Sequence, residues 1–97
     1  MLDLILNQIR DKKIIILGFG REGASSYRFL RKHFPDMEIV AADRSEVLNT
    51  SEYQNDPKLK FVLGEKYADN LNDYDLIFKT PGINLNHINY FIQPHRI

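Results

Sequence analysis

The sequence predicts an α/β fold built on a parallel sheet, and three observations carry that expectation. Ile14-Ile15-Ile16-Leu17 is a largely β-branched run without polar alternation, the pattern of a strand covered on both faces. It leads directly into Gly18-Phe19-Gly20-Arg21-Glu22-Gly23, a G-x-G-x-x-G of the kind that turns a strand into a helix. Beyond it, short apolar runs alternate with amphipathic or polar stretches, the rhythm of βαβ units with right-handed crossovers.

Taken in order, Leu2, Ile5, Leu6 and Ile9 recur at the spacing of one face of a short amphipathic helix. That stretch carries Asp3 and is followed by charge instead of a small-residue cleavage site, which separates it from a signal peptide. After the first strand and its glycines, Ala24 to His33 predicts a helix packing through Ala24, Tyr27, Phe29 and Leu30. Phe34-Pro35-Asp36 stops it. Glu38 to Ala42 is the second strand, ending at Asp43. The polar stretch from Ser45 to Pro57 predicts a short helix or turns. Lys58 to Gly64 holds a third strand, closed by its glycine, and Lys66 to Tyr74 predicts a short helix or loop. Asp75-Leu76-Ile77-Phe78-Lys79 is a fourth strand running into Thr80-Pro81-Gly82-Ile83. The tail is expected to add one or two helical turns before Pro94. The chain reaches Arg96-Ile97 where a fifth strand would begin.

These elements predict a Rossmann-like parallel sheet in strand order 3-2-1-4, with the fifth strand truncated or missing. In such sheets a ligand sits outside the carboxyl ends of the strands, where the order reverses. The glycine turn, Asp43, Gly64 and Thr80-Pro81-Gly82 all fall at those ends.

Composition limits the chemistry. Ninety-seven residues predict one small domain. Thirteen basic residues balance thirteen acidic ones, so charge offers no case for nucleic acid or an anionic membrane. No run approaches the roughly 20 apolar residues that span a bilayer, and a cytoplasmic chain is expected. Cysteine is absent, which removes disulfides, thiolate chemistry and cysteine-ligated metals. His33, His87 and His95 lack ligand spacing and read as surface residues, so no metal is expected. Tyr67, Tyr74 and Tyr90 read as half-buried packing residues. Neither a nucleophile–base pair nor a G-x-x-x-x-G-K-[ST] is present, so no catalytic residue is expected.

The glycine loop suits a phosphorylated ligand for stated reasons. Gly18 permits the tight turn, Gly20 lets a phosphate approach the backbone, and Gly23 lets the helix lie close to the strand. The helix then presents free N–H groups and the positive end of its dipole to the anion. Arg21 adds a cation. Glu22 would repel a phosphate beside it, and its alternative reading is a residue of the first helical turn that faces solvent or pairs with Arg21 or Arg28. Asp43 lies twenty residues after Gly23, where an acid in dinucleotide-binding domains accepts the ribose hydroxyls. Its alternative is a helix or turn cap.

The segments IIILGFGREGAS, VAADRS and LGEKYADNLNDYDLIFKTPGINL together resemble the N-terminal domains of the bacterial Mur ligase family, in its D-glutamate-adding branch. The resemblance covers roughly Lys12 to Leu85, and its most specific part is the apolar strand Asp75–Lys79 followed by Thr80-Pro81-Gly82-Ile83. It implies that the loop Gly18, Phe19, Gly20, Arg21, Glu22 and Gly23 holds the diphosphate of UDP-N-acetylmuramoyl-L-alanine. Asp43, Arg44 and Ser45 would embrace the uracil and its ribose, Gly64 would match the glycine after the third strand, and Thr80, Pro81 and Gly82 would close the other side. The sequence departs from commoner relatives at Arg21-Glu22, where smaller or neutral residues are frequent, and at Arg44-Ser45.

The resemblance further implies a longer, three-domain parent that adds D-glutamate during peptidoglycan precursor synthesis in the bacterial cytoplasm. ATP and Mg would be bound by its central domain, with no cofactor in this one, and the chain is expected to be a fragment of that parent. Two rivals from other classes remain at this point: an NAD(H)-binding module of a dehydrogenase or regulator, and a ligand-free interaction domain. A Mur ligase adding a different amino acid is a third.

Overall fold

Ile14, Ile15 and Ile16 are each almost wholly buried, as a strand covered on both faces requires. The computed structural model describes residues 2–79 and 92–94, and this strand lies at the middle of its sheet. Helix α1 (Leu2–Ile9) precedes strand β1 (Ile14–Leu17), and helix α2 (Arg21–His33) follows it. Strands β2 (Ile39–Asp43), β3 (Leu59–Leu63), β4 (Leu76–Lys79) and β5 (Ile92–Pro94) complete the elements, with 3-10 turns at Ser51–Tyr53 and Leu71–Asp73. The sheet order is β3-β2-β1-β4-β5, and the first four strands are parallel, in the order expected from the sequence.

The helical turns expected in the tail before Pro94 fall largely on residues outside those described. Strand β5 pairs antiparallel with β4, placing Ile92 opposite Phe78 and Pro94 opposite Leu76. Proline lacks an N–H and breaks helices, but it is tolerated on an outer strand. The fifth strand is therefore present as three residues.

The two sheet faces are covered unequally. One carries the main core: Ile14, Ile16, Ile39 and Phe78 pack under Ile5 and Ile9 of α1 and Leu30 of α2. Connections from β1 to β2 and from β2 to β3 run over this side, the second through Leu48 and Tyr53. The connection from β3 to β4 crosses the opposite face, where Tyr67, Leu71 and Tyr74 cover Ile15, Ala42 and Ile77. That change of side puts the reversal of strand order between β1 and β4. At the amino ends of those two strands, the Asp75 carboxylate accepts the Lys13 N–H at 2.9 Å. The Asp75 N–H donates to the Lys13 carbonyl at 2.8 Å, so the acid that opens the fourth strand aligns it with the first.

Helix α2 starts at Arg21, three residues before the predicted Ala24, because Gly20 serves as its N-cap and its carbonyl already accepts the Ala24 N–H at 2.9 Å. Glu22 in the first turn and Arg31, Lys32 and His33 in the last suit the helix dipole. Gly23 is buried against the turn that precedes it. A Cβ there would lie 2.0 Å from the Gly18 carbonyl oxygen and 2.9 Å from its carbon.

The β2–β3 connection holds a 3-10 turn where an α-helix is customary, and side chains tie it to α2. Arg31 Nε donates to Asp56 Oδ2 at 2.9 Å, and the Tyr27 hydroxyl donates to the same oxygen. Arg31 Nη1 also donates to the carbonyls of Phe34, Pro35 and Met37, fastening the turn after the helix. Tyr53 stacks edge-on against Phe19 and Tyr27, with ring centroids 5.3 and 5.5 Å apart. Such aromatic pairs add about 0.5–1.5 kcal/mol each beyond the area they bury.

Two outcomes are expected from this packing. Gly23→Ala should destabilise the chain by about 2–4 kcal/mol in urea unfolding, because the new methyl meets backbone and not a movable side chain. Asp56 supplies the second. Burial alone would raise its carboxyl pKa, but bonds from Tyr27, the Lys58 N–H and Arg31 outweigh it and hold the value below the ordinary carboxylate range. Its stabilisation is thus complete at neutral pH and lost as pH falls below about 4, through the depressed folded-state value. Melting curves should show Asp56→Asn less stable by about 1–3 kcal/mol at pH 7 and converging with the parent in acid.

Candidate functional site

The carboxyl ends of β1, β2 and β3 bring three loops together. Gly18 has φ +90°, in the left-handed region that favours glycine, and its N–H donates to the Ala42 carbonyl at 2.7 Å. The chain then reverses at Phe19. Its ring turns inward, 4% exposed, within the cluster of Tyr27, Tyr53 and Phe61. Gly20 is exposed, and nothing lies within 4 Å of the place a Cβ would occupy. No side chain caps α2 at this end, so the amides of its first turn face outward with the positive end of the dipole.

Arg21 and Glu22 are exposed residues of that first turn. The placement of Glu22 matches its reading as a solvent-facing helix-start carboxylate. Arg21 is an exposed cation beside the uncapped amides.

Asp43 joins all three loops. Its Oδ2 accepts the Phe19 N–H at 2.7 Å and its Oδ1 accepts the Ser45 N–H at 2.9 Å. Its own carbonyl accepts the Gly64 N–H at 3.0 Å. The bond to Ser45 is the local turn that an Asp makes with the amide two residues on. Ser45 repeats the device one step later, its Oγ accepting the Val47 N–H at 3.3 Å. Exposed Arg44 lies over the Tyr67 ring, 6.0 Å from its centroid. Gly64 has φ +105°, and a Cβ on it would meet the Glu46 carboxylate at 3.0 Å. The third loop therefore packs closely beneath the second.

Of the residues singled out in the sequence, Gly18 to Gly23, Asp43 to Ser45 and Gly64 share this one edge. Thr80, Pro81 and Gly82 lie outside the described residues, as do His87, Tyr90 and His95. Lys79, the last described residue of β4, is exposed and in register with Leu17. Tyr67 and Tyr74 are half-buried packing residues, as read from the sequence. Sequence reasoning missed the inward Phe19 ring, the bond from Phe19 to Asp43, and Glu46 against Gly64. Only the Asp43-Arg44-Ser45 turn had a local signal, an Asp followed at two residues by a Ser.

Other features stand apart from this edge. A cleft of about 630 Å³ lies at the amino ends of the strands, lined by Lys12, Lys13, His33, Asp36, Glu38 and Asp75. Among the described residues no group of three or more His, Cys, Asp or Glu is placed to hold a metal ion. Nor is any described helix long and apolar enough to cross a membrane.

Comparison with known proteins agrees with this geometry. The family model described as the Mur ligase MurD-like N-terminal domain matches residues 12–93. UDP-N-acetylmuramoylalanine–D-glutamate ligase of Colwellia psychrerythraea is 35% identical over 86 residues, spanning 82% of this chain and 18% of that protein. The ligase of the same name from Acetivibrio thermocellus is 32% identical over 77 residues, 78% of this chain and 16% of its own length. Prephenate dehydrogenase of Lactococcus lactis is 38% identical over 60 residues, 60% of this chain and 17% of the relative. The chain thus spans less than a fifth of the length of these curated relatives. No solved structure matches it. With a parallel 3-2-1-4 sheet, a glycine turn at its carboxyl edge and a family match over most of its length, this chain belongs to the MurD-like N-terminal domain family of Mur ligases.

Proposed function

We propose that this chain holds the UDP end of UDP-N-acetylmuramoyl-L-alanine for an ATP-dependent ligase that adds D-glutamate to peptidoglycan precursors. The observation that carries the reading is the open side of Gly20 at the uncapped start of α2, in a chain of the MurD-like family. A diphosphate placed there meets outward amides and a positive dipole end, and no side chain blocks its approach. Arg21 adds charge-assisted bonds to the same anion. Asp43 to Ser45 and Gly64 bound the neighbouring space for uracil and ribose; Thr80-Pro81-Gly82, the turn that the resemblance assigns to the same pocket, lies outside the described residues.

The described residues offer binding and not chemistry. In the parent, an acyl phosphate forms on the muramoyl-alanine carboxylate and the amine of D-glutamate attacks it. ATP and Mg belong to the central domain, and the present chain has no phosphate loop with a lysine to seat them. Its contribution is position: fixing the nucleotide end limits where the distant carboxylate can lie, lowering the entropic part of the barrier.

A dinucleotide reading has its own support, in the similarity to prephenate dehydrogenase and in Asp43 at the end of β2. Amide-detected NMR titration with UDP-N-acetylmuramoyl-L-alanine, UDP and NAD in parallel separates the two. Both uridine ligands should shift Gly20 to Gly23 and Asp43 to Ser45, and a stronger response to NAD at those positions would replace this reading. Gly20→Ala should fold as the parent does, since its methyl enters open space, yet bind UDP about tenfold more weakly or worse, roughly 1.4 kcal/mol. Unchanged UDP affinity in that variant would remove the diphosphate from Gly20.

A further inference from the structure

We propose that the Asp43 carboxylate is a positioning residue, a brace that sets the spacing of two loops, and not the acceptor of ribose hydroxyls that its place at the end of β2 suggests. The ligand side of this inference rests on the uridine reading above; the brace itself does not.

Both carboxylate oxygens are already engaged, and by different loops. Oδ2 takes the Phe19 N–H at 2.7 Å and Oδ1 takes the Ser45 N–H at 2.9 Å. Bonds from amides to an ionised carboxylate are short and about twice as strong as neutral ones. An acid that reads a ribose diol turns its oxygens toward the two hydroxyls. Each oxygen can accept a second bond, but turning both squarely toward a diol would take them from the two amides they now hold, and an amide left unpaired in a partly buried turn is costly.

The Phe19 bond also has a firm far end. The Phe19 ring is held in the core by edge-on contacts with Tyr53 and Phe61, at 5.3 and 5.2 Å between centroids. The glycine loop is therefore pinned at one residue from two sides, by its ring below and by Asp43 beside it. On the other side, the Asp43 backbone is fixed by the Gly64 N–H to its carbonyl. Between these anchors the carboxylate determines how far Gly20 stands from Arg44 and Ser45. Loss of the carboxylate should then weaken every ligand that spans the two loops, whether or not it carries ribose hydroxyls.

The test uses Asp43→Ala and Asp43→Asn, with UDP and 2′,3′-dideoxy-UDP as probes by calorimetry. Hydrogen exchange is measured by NMR without ligand. The brace requires Asp43→Ala to weaken both nucleotides by the same factor, about tenfold or more. It also requires the Phe19 and Ser45 amides to exchange about tenfold faster while Gly64, bonded to the backbone carbonyl, keeps its protection. Asp43→Asn retains one acceptor oxygen and should fall between. Weakening of UDP alone, with dideoxy-UDP unaffected, would make Asp43 the ribose acceptor and overturn the proposal. Unchanged exchange at Phe19 and Ser45 would overturn it as well. If the parent chain binds neither nucleotide, the uridine reading fails by itself and the exchange rates still decide the brace. If Asp43→Ala does not fold, Asp43→Asn carries both measurements.

Discussion

The structure depends on how closely α2 approaches the strand that feeds it. Gly23 lies so near the Gly18 carbonyl that a methyl group has no room. This contact does two things at once. It lowers the helix onto the face of β1, so that Leu30 reaches the core beside Ile14 and Ile16. It also holds the start of the helix at the carboxyl edge of the sheet, aiming its unpaired amides past Gly20 into solvent. A bulkier residue would lift the helix and turn those amides aside. The core and the candidate site are thus consequences of one van der Waals constraint.

The rest of the molecule compensates for a thin set of covering elements. Only α1 and α2 are α-helices among the described elements, and both lie over the same core. The crossover from β2 to β3 makes up for its missing helix with specific contacts. Arg31 and Tyr27 grip Asp56, and Tyr53 enters the aromatic cluster around Phe19. The latter contact places the β2–β3 crossover and the glycine loop around a shared ring. Stability of the crossover and geometry of the loop are therefore coupled through Phe19, although Phe19 and Tyr53 are thirty-four residues apart in sequence.

What was legible in the sequence, and what was not, follows the range of the interactions. The β-branched Ile14–Leu17 run, the glycine spacing and the closing Gly64 are local signals, and the strands and the parallel order could be inferred from them. The early start of α2 was missed because Gly20 serves both as loop glycine and as N-cap, and a glycine pattern does not announce which comes last. The short strand ending at Pro94 was not foreseen, because such a run is ambiguous until a partner strand is known, and its partner is β4. At the site, Asp43 was placed correctly but its partners were not, since Phe19 is twenty-four residues away. Asp56, likewise, looked like part of a polar connector, and its partners lie twenty-five and twenty-nine residues back on α2.

The same division explains the unusual side chains in the glycine loop. Parts of the loop that need a given geometry meet it through backbone: Gly18 at positive φ, the Phe19 N–H on Asp43, the outward amides after Gly20. Arg21 and Glu22 contribute none of that scaffolding, being exposed at the helix start. An anion held by main-chain amides places few demands on the side chains between them, so an arginine and a glutamate fit where smaller residues also would. On the uridine reading proposed above, their opposite charges would act on a diphosphate in opposite directions, Arg21 attracting and Glu22 repelling. Affinity would then be a balance of two exposed side chains laid over a backbone cradle, and that balance would shift with salt as exposed charges do.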